Sequence, residues 1–124
     1  MKHLFITSIL VSILSFFSCS SKHELTDEQK IVGTWIFTQK KDISQNDNST
    51  VEVLNRTNNI TFYSNTKLES NYGEFSIFTW YELGTGIIVL HHSEEVTGQV
   101  SYYFEDDNTL VIQTKTYRFW LIRS

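Results

Sequence analysis

Alternation of apolar and polar residues is the strongest pattern in this chain, and it dominates from Gly33 to the C-terminus. In "QVSYYFE", for example, Val100, Tyr102 and Phe104 alternate with polar or exposed positions, and "NITFYS" repeats the pattern. Because successive side chains of a strand point to opposite faces, a period of two predicts half-buried β-strands. No stretch after Gly33 has the spacing of an amphipathic helix, so we predict an all-β fold.

The predicted strands are short and are separated by turn residues. Further candidates span residues 35–40, 50–54, 67–72, 74–83, 86–92, 109–114 and the final "TYRFWLIRS". Turn signals such as "SNT", "LGTG" and "EDDN" lie between them. A Greek-key sandwich needs a long connection that returns a strand across the sheet, and the short sequential hairpins of this chain provide none. We therefore predict an antiparallel up-and-down meander β-barrel of about eight strands.

One short helical turn is predicted before the first strand. Thr26 and Gln29 have the spacing of a capping box, and Asp27 and Glu28 suit the positive end of a helix dipole. Gly33 and the β-forming residues that follow it end the helix after about one turn.

The N-terminus has the pattern of an export signal. Lys2 and His3 precede an uninterrupted run of apolar and small hydroxyl residues over 4–17. That run is shorter than the roughly 20 residues that a membrane-spanning helix needs. We therefore predict a signal peptide over 1–18 and no lasting transmembrane anchor.

Cys19, the only cysteine, ends this run in "SFFSC" and is followed by Ser20 and Ser21. The segment resembles the lipobox of bacterial lipoproteins, which implies a diacylglyceryl group on Cys19, cleavage before it and acylation of the new N-terminus. The alternative is an ordinary secretory signal with an incidental cysteine. A single cysteine in an exported protein cannot form an internal disulfide, so it needs another explanation.

The lipobox resemblance also implies domain boundaries and a location. Residues 19–25 would be the lipidated cysteine and its tether, and 26–124 the barrel domain. Ser20 stands where an aspartate commonly signals retention in the inner membrane, so the expected location is the outer membrane of a bacterial cell envelope.

The segment "KIVGTWIFTQ" opens the first predicted strand. Together with the capped turn before it, the long loop "KDISQNDNST", the hairpins and a final strand ending in arginine, it resembles the lipocalin-like domains of small bacterial lipoproteins. The family's Gly-x-Trp is matched by Gly33 and Trp35. The resemblance implies that Trp35 closes the narrow end of the barrel under an arginine of the last strand. Arg123 fits that role better than Arg118, because Arg123 alternates in phase with Phe119.

The predicted inward face of the barrel is rich in aromatic rings. An eight-stranded barrel is wide enough either to hold one small ligand or to be filled by its own side chains, so these rings either line an apolar cavity or fill it. We expect the mouth near "KDISQNDNST" and "LGTG", with the first of these loops as a lid. The cavity candidates are Phe37, Phe62, Phe75, Tyr81, Tyr102, Phe104 and Phe119.

Other kinds of site have weak signals. His91 and His92 lie beside two glutamates, but adjacent residues of a strand point to opposite faces and cannot easily share one metal ion. No nucleophile elbow or evident catalytic set is visible, so we expect neither an enzyme nor a cofactor or metal. The formal net charge of −4 gives no reason to expect nucleic acid as a partner.

Two functions therefore remain as hypotheses. One is a membrane-anchored monomer that binds a small hydrophobic molecule in, or at the mouth of, its barrel. The other is an envelope interaction protein, an inhibitor or assembly factor, with a filled barrel whose surface binds another protein. Tyr63, Tyr103 and Trp120 are predicted to face outward, either as ordinary surface aromatic residues or as part of such a surface.

Overall fold

The computed structural model describes residues 25–44, 49–95 and 97–124. The predicted signal peptide, Cys19, most of the tether and the middle of the "KDISQNDNST" loop lie outside these ranges. Among the described residues, no helix is both long enough and apolar enough to span a membrane.

The structure confirms the predicted antiparallel up-and-down barrel with a short helix on its N-terminal side. The elements are α1 (Asp27–Ile31), β1 (Gly33–Asp42), β2 (Glu52–Val53), β3 (Asn59–Phe62), β4 (Leu68–Ser70), a 3-10 helix (Gly73–Ile77), β5 (Trp80–Gly84), β6 (Ile87–His91), β7 (Thr97–Asp106), β8 (Thr109–Gln113) and β9 (Tyr117–Arg123).

Eight strands form the wall of the barrel, in the order β4-β3-β1-β9-β8-β7-β6-β5, and β2 pairs separately with β1. The seam between β4 and β5 is held by the bridge between Lys67 and Trp80. Two backbone hydrogen bonds flank it, from Leu68 N to Thr79 O and from Tyr81 N to Thr66 O, each 2.9 Å long. The sheet thus returns on itself, and its core lies inside the wall.

The two ends of the barrel differ, and we name them by what covers them. The closed end carries α1 and the β3–β4, β5–β6 and β7–β8 turns. The open end carries the 3-10 helix and the β6–β7 and β8–β9 turns.

The capping box of α1 is confirmed. Gln29 N donates to the Thr26 side chain, and Thr26 N donates to Gln29 Oε1. A five-residue helix is not stable by itself, so contacts with the barrel must hold it. Ile31 is fully buried, and the Tyr102 hydroxyl donates to Asp27 Oδ2 at 2.7 Å. Burial raises the pKa of Tyr102, and the hydrogen bond to Asp27 raises it further.

Trp35 closes this end of the barrel. Its ring is fully buried, and its Nε1 donates to Ile31 O at 2.8 Å, so the end of α1 is tied to the first strand. The guanidinium of Arg123 lies 4.3 Å from the centre of the indole. Arg118 instead lies near the Trp120 ring, on the outer face.

Arg123 also joins three parts of the closed end through hydrogen bonds. Its side chain donates to Lys30 O at 2.7 Å, to Val32 O at 3.2 Å and to Asp107 O at 3.1 Å. Gly33 has a φ of +132°, which L side chains rarely adopt, and a Cβ there would lie 3.4 Å from Arg123 Nη1. Glycine therefore permits the sharp turn into β1.

Two strand predictions were wrong in their extents. The predicted strand 74–83 begins only at Trp80, because the chain first forms the 3-10 helix across the open end. The predicted strand 50–54 is reduced to the two-residue β2, which pairs with β1. In β1, the register with β9 shifts between Phe37 and Gln39, and the Thr38 hydroxyl donates to Trp120 O at this bulge.

Replacement of Arg123 tests the role of the closed end. We expect Arg123→Met to lower the free energy of unfolding by about 3 kcal/mol, because it removes the ring contact and leaves backbone carbonyls without charged donors. Arg118→Met is the matched control, since Arg118 lies on the outer face, and it should cost less than about 1 kcal/mol. Urea unfolding of both variants measures the difference, and equal losses would contradict this role for Arg123.

Candidate functional site: a groove at the open end

A groove of about 520 Å³ lies at the open end of the barrel. One wall is the 3-10 helix with Phe78 after it, the second is formed by the ends of β6 and β7 that face each other, and the third is the β8–β9 turn. Its lining residues are Glu74, Phe75, Ile77, Phe78, Leu90, Thr97, Gly98, Gln99, Val100, Thr114, Lys115, Thr116 and Tyr117.

The first wall forms because the chain turns sharply after β4. Gly73 has a φ of +46°, which lets the chain enter the 3-10 helix. Within that helix Phe75 points into the barrel and is 1% exposed, whereas Ile77 is 49% exposed. The Phe78 ring packs on Gly98 of the second wall, where an added Cβ would lie only 2.9 Å from Phe78 Cζ. Glycine at position 98 therefore makes room for the ring.

The third wall is held by the side chain of Thr114. Its Oγ1 accepts hydrogen bonds from Thr116 N at 3.2 Å and from Tyr117 N at 3.0 Å. Hydroxyl residues commonly stabilise turns in this way. Lys40 lies beside this wall, with its Nζ 4.1 Å from the centre of the Tyr117 ring.

Aromatic rings separate the groove from the interior of the barrel. The Phe75 ring lies 5.4 Å from Phe37 and 5.5 Å from Phe119, and Phe37 lies 4.6 Å from Tyr72. These distances are those of packed aromatic pairs. Burial raises the pKa of Tyr72, as expected for a hydroxyl near this apolar cluster.

The seven cavity candidates all point inward, and the structure brings each of them into ring contact with another of the seven. Six are buried, and Phe104 is half-buried. Towards the closed end, Phe62 packs on Tyr81 at 5.0 Å, and Phe104 packs on both Tyr102 and Trp35. Of the seven, Phe75 is the one that lines the groove. Sequence alternation identified this residue and missed Phe78, Gly98 and Lys115.

Two segments were predicted to form the mouth of the barrel, and only the start of "KDISQNDNST" lies near the open end. β1 runs towards the open end, and Ile43 N donates to Thr116 O beside the groove. Residues 45–48 are not described, so the lid stays a prediction. The placement of "LGTG" at the mouth was wrong, because β5 runs from the open end to the closed end and its following turn therefore lies beside α1.

The histidine pair does not form a shared site. The His91 ring stacks on Trp80 at 3.7 Å, and its Nε2 lies 3.1 Å from Glu82 Oε1 at an angle that makes no hydrogen bond. His92 is exposed in the turn that follows. Within 25–44, 49–95 and 97–124, no group of three His, Cys, Asp or Glu residues could hold a metal ion.

Of the aromatic residues predicted to face outward, Tyr63 and Tyr103 are exposed, whereas Trp120 is half-buried. Tyr103, Val111 and Trp120 form a row across the outside of β7, β8 and β9. Tyr103 and Trp120 are the cross-strand neighbours of Val111 on this face, and Val111 is fully buried although the strand alternation points it away from the core.

Comparison of the chain with models of known protein families, with curated proteins and with solved structures found no match.

Phe75→Ala tests whether the barrel interior is packed up to the floor of the groove. Loss of a buried ring that contacts Phe37 and Phe119 should lower the free energy of unfolding by about 3 to 5 kcal/mol. Ile77→Ala is the matched control on the same helix and should cost about 1 kcal/mol or less, since that side chain is half exposed. Urea denaturation compares the two, and a small effect of Phe75→Ala would show that this part of the interior is loosely packed.

Proposed function

We propose that this protein is a membrane-anchored, lipocalin-like lipoprotein that binds a small hydrophobic molecule at the mouth of its barrel. The observation that carries the proposal is the groove, with a volume within the usual range for small-molecule sites. Phe75, Leu90 and Val100 form an apolar floor for it, and Phe78 and Ile77 form one wall.

The geometry favours the mouth over the interior for this ligand. Phe37, Phe75 and Phe119 already contact one another across the open half of the barrel, so a molecule inside would have to displace buried rings. A molecule in the groove would cover groups that are now partly exposed, such as Ile77, and each buried CH₂ would contribute about 0.8 kcal/mol.

An envelope interaction protein is the second candidate, and one observation supports it. The row of Tyr103, Val111 and Trp120 gives the outer wall an apolar strip, and Tyr103 is 48% exposed. Exposed aromatic residues of this kind are enriched in protein interfaces. Ligand titration separates the two candidates, because an interaction protein with a filled barrel need not bind a small apolar molecule.

Ile77→Asp is the variant that tests ligand binding in the groove. We expect the chain from Ser20 onward to bind Nile red, a neutral apolar dye, with saturable one-to-one stoichiometry. A charge at position 77 should weaken that binding about tenfold, because it replaces apolar contact with a group that resists desolvation. Dye fluorescence gives the affinity.

Val53→Asp is the matched control for this titration. Val53 is 80% exposed on β2 and does not line the groove, so its replacement adds the same charge elsewhere on the surface. It should leave dye affinity unchanged. Equal weakening by both variants, or no binding by the folded wild-type chain, would count against a ligand site in the groove.

The membrane anchor has its own test. A thiol that carries a diacylglyceryl group requires sulfur, so Cys19→Ala should move the expressed protein from the membrane fraction to the soluble fraction. Mass spectrometry of the wild-type N-terminal peptide should detect the acyl groups. A Cys19→Ala protein that still fractionates with membranes would contradict the lipoprotein proposal without affecting the groove.

A further inference from the structure

A second, polar space adjoins the groove on the outer wall of the barrel. This outer depression, of about 480 Å³, is lined by Gln99, Ser101, Gln113, Thr114 and Lys115. Three of these residues, Gln99, Thr114 and Lys115, also line the groove. The apolar floor and the polar depression thus meet at the β8–β9 turn, so one molecule could occupy both.

Two basic residues, Lys115 and Arg118, lie at the outer depression. None of its five lining residues is acidic. Arg118 stands beside it, with its Nε donating to Gln113 Oε1 at 3.0 Å. Lys115 is exposed in the turn, and within the described part of the chain no hydrogen bond or ion pair engages its ammonium. The depression therefore offers an unpaired cation at the boundary between polar and apolar linings.

The opposite wall of the groove carries the opposite charge. Glu74 lies in the first turn of the 3-10 helix and lines the groove but not the outer depression. A negative group of a ligand would be repelled by Glu74 and attracted by Lys115 and Arg118. These charges therefore favour one orientation of a bound ligand that has an anionic end and an apolar end.

We propose that the molecule bound in the groove is an anionic single-chain amphiphile, an inference that rests on the proposed function. Its apolar body lies on Phe75, Phe78 and Leu90, and its anionic head lies in the outer depression beside Lys115, within reach of the Gln99 amide. Hydrogen bonds to charged groups are about twice as strong as those between neutral groups, so the head supplies selectivity and the apolar body supplies most of the affinity. The groove volume suits one small molecule and not a bilayer surface.

The test compares two competitors that differ only in their heads. Decanoate and decanol are titrated at pH 8 and low salt against Nile red bound to the purified protein. We expect decanoate to displace the dye at about tenfold lower concentration than decanol, and Lys115→Met to reduce this ratio to about twofold. The ratio should also fall in 0.5 M salt, because the head remains partly exposed.

Lys67→Met is the matched control, since Lys67 is an exposed lysine of the β3–β4 turn at the closed end. It should preserve the tenfold preference. Equal displacement by decanoate and decanol would overturn the anionic class of ligand. A preference that survives Lys115→Met would overturn the placement of the head beside Lys115. Either result would leave a ligand site in the groove. Failure of Nile red to bind would overturn the proposed function as well.

Discussion

The width of an eight-stranded barrel is the constraint on which the rest of the structure depends. Because β1 is hydrogen-bonded to both β3 and β9, and β4 meets β5 at the seam, the sheet cannot spread to enclose more space. A barrel of this size is just wide enough for its side chains to meet at the centre. Phe37 and Phe119 do so, with ring centres 5.6 Å apart. The interior therefore behaves as a core, and exposed apolar surface for a ligand is found at the open end.

The residues of the closed end make the two ends of the barrel different. The last carbonyl groups of a helix have no partners within it. Here the carbonyls of Lys30, Ile31 and Val32 accept hydrogen bonds from the side chains of Arg123 and Trp35. One arginine and one tryptophan thus satisfy the end of α1, cover the barrel and join the first strand to the last. These buried and paired groups cover the barrel interior at this end, and the groove lies at the opposite end.

Sequence alternation predicted the barrel, six of the seven inward aromatic residues and the role of Arg123 over Arg118, because these depend on which face of a strand a residue occupies. The seventh aromatic residue, Phe75, points inward from the 3-10 helix and not from a strand. Alternation failed where the chain departs from regular strand geometry. The 3-10 helix interrupts the predicted strand 74–83, and its signals were the glycine at 73 and the three-residue spacing of Phe75 and Phe78. The packing of Phe78 on Gly98 joins residues 20 positions apart and follows from tertiary structure alone. Most of the fold was therefore accessible from the sequence, whereas the groove was not.

If Cys19 carries the proposed anchor, its tether joins the barrel at Leu25, next to α1 at the closed end, whereas the proposed site lies at the open end. A lipid on Cys19 would be separated from Leu25 by a tether that spans at most roughly 20 Å when fully extended. The closed end would then stay near the bilayer, while the ten residues of β1 lead away from it towards the groove. A ligand would therefore reach the groove from the aqueous side, which suits a single-chain amphiphile with a charged head better than a lipid that stays in the membrane.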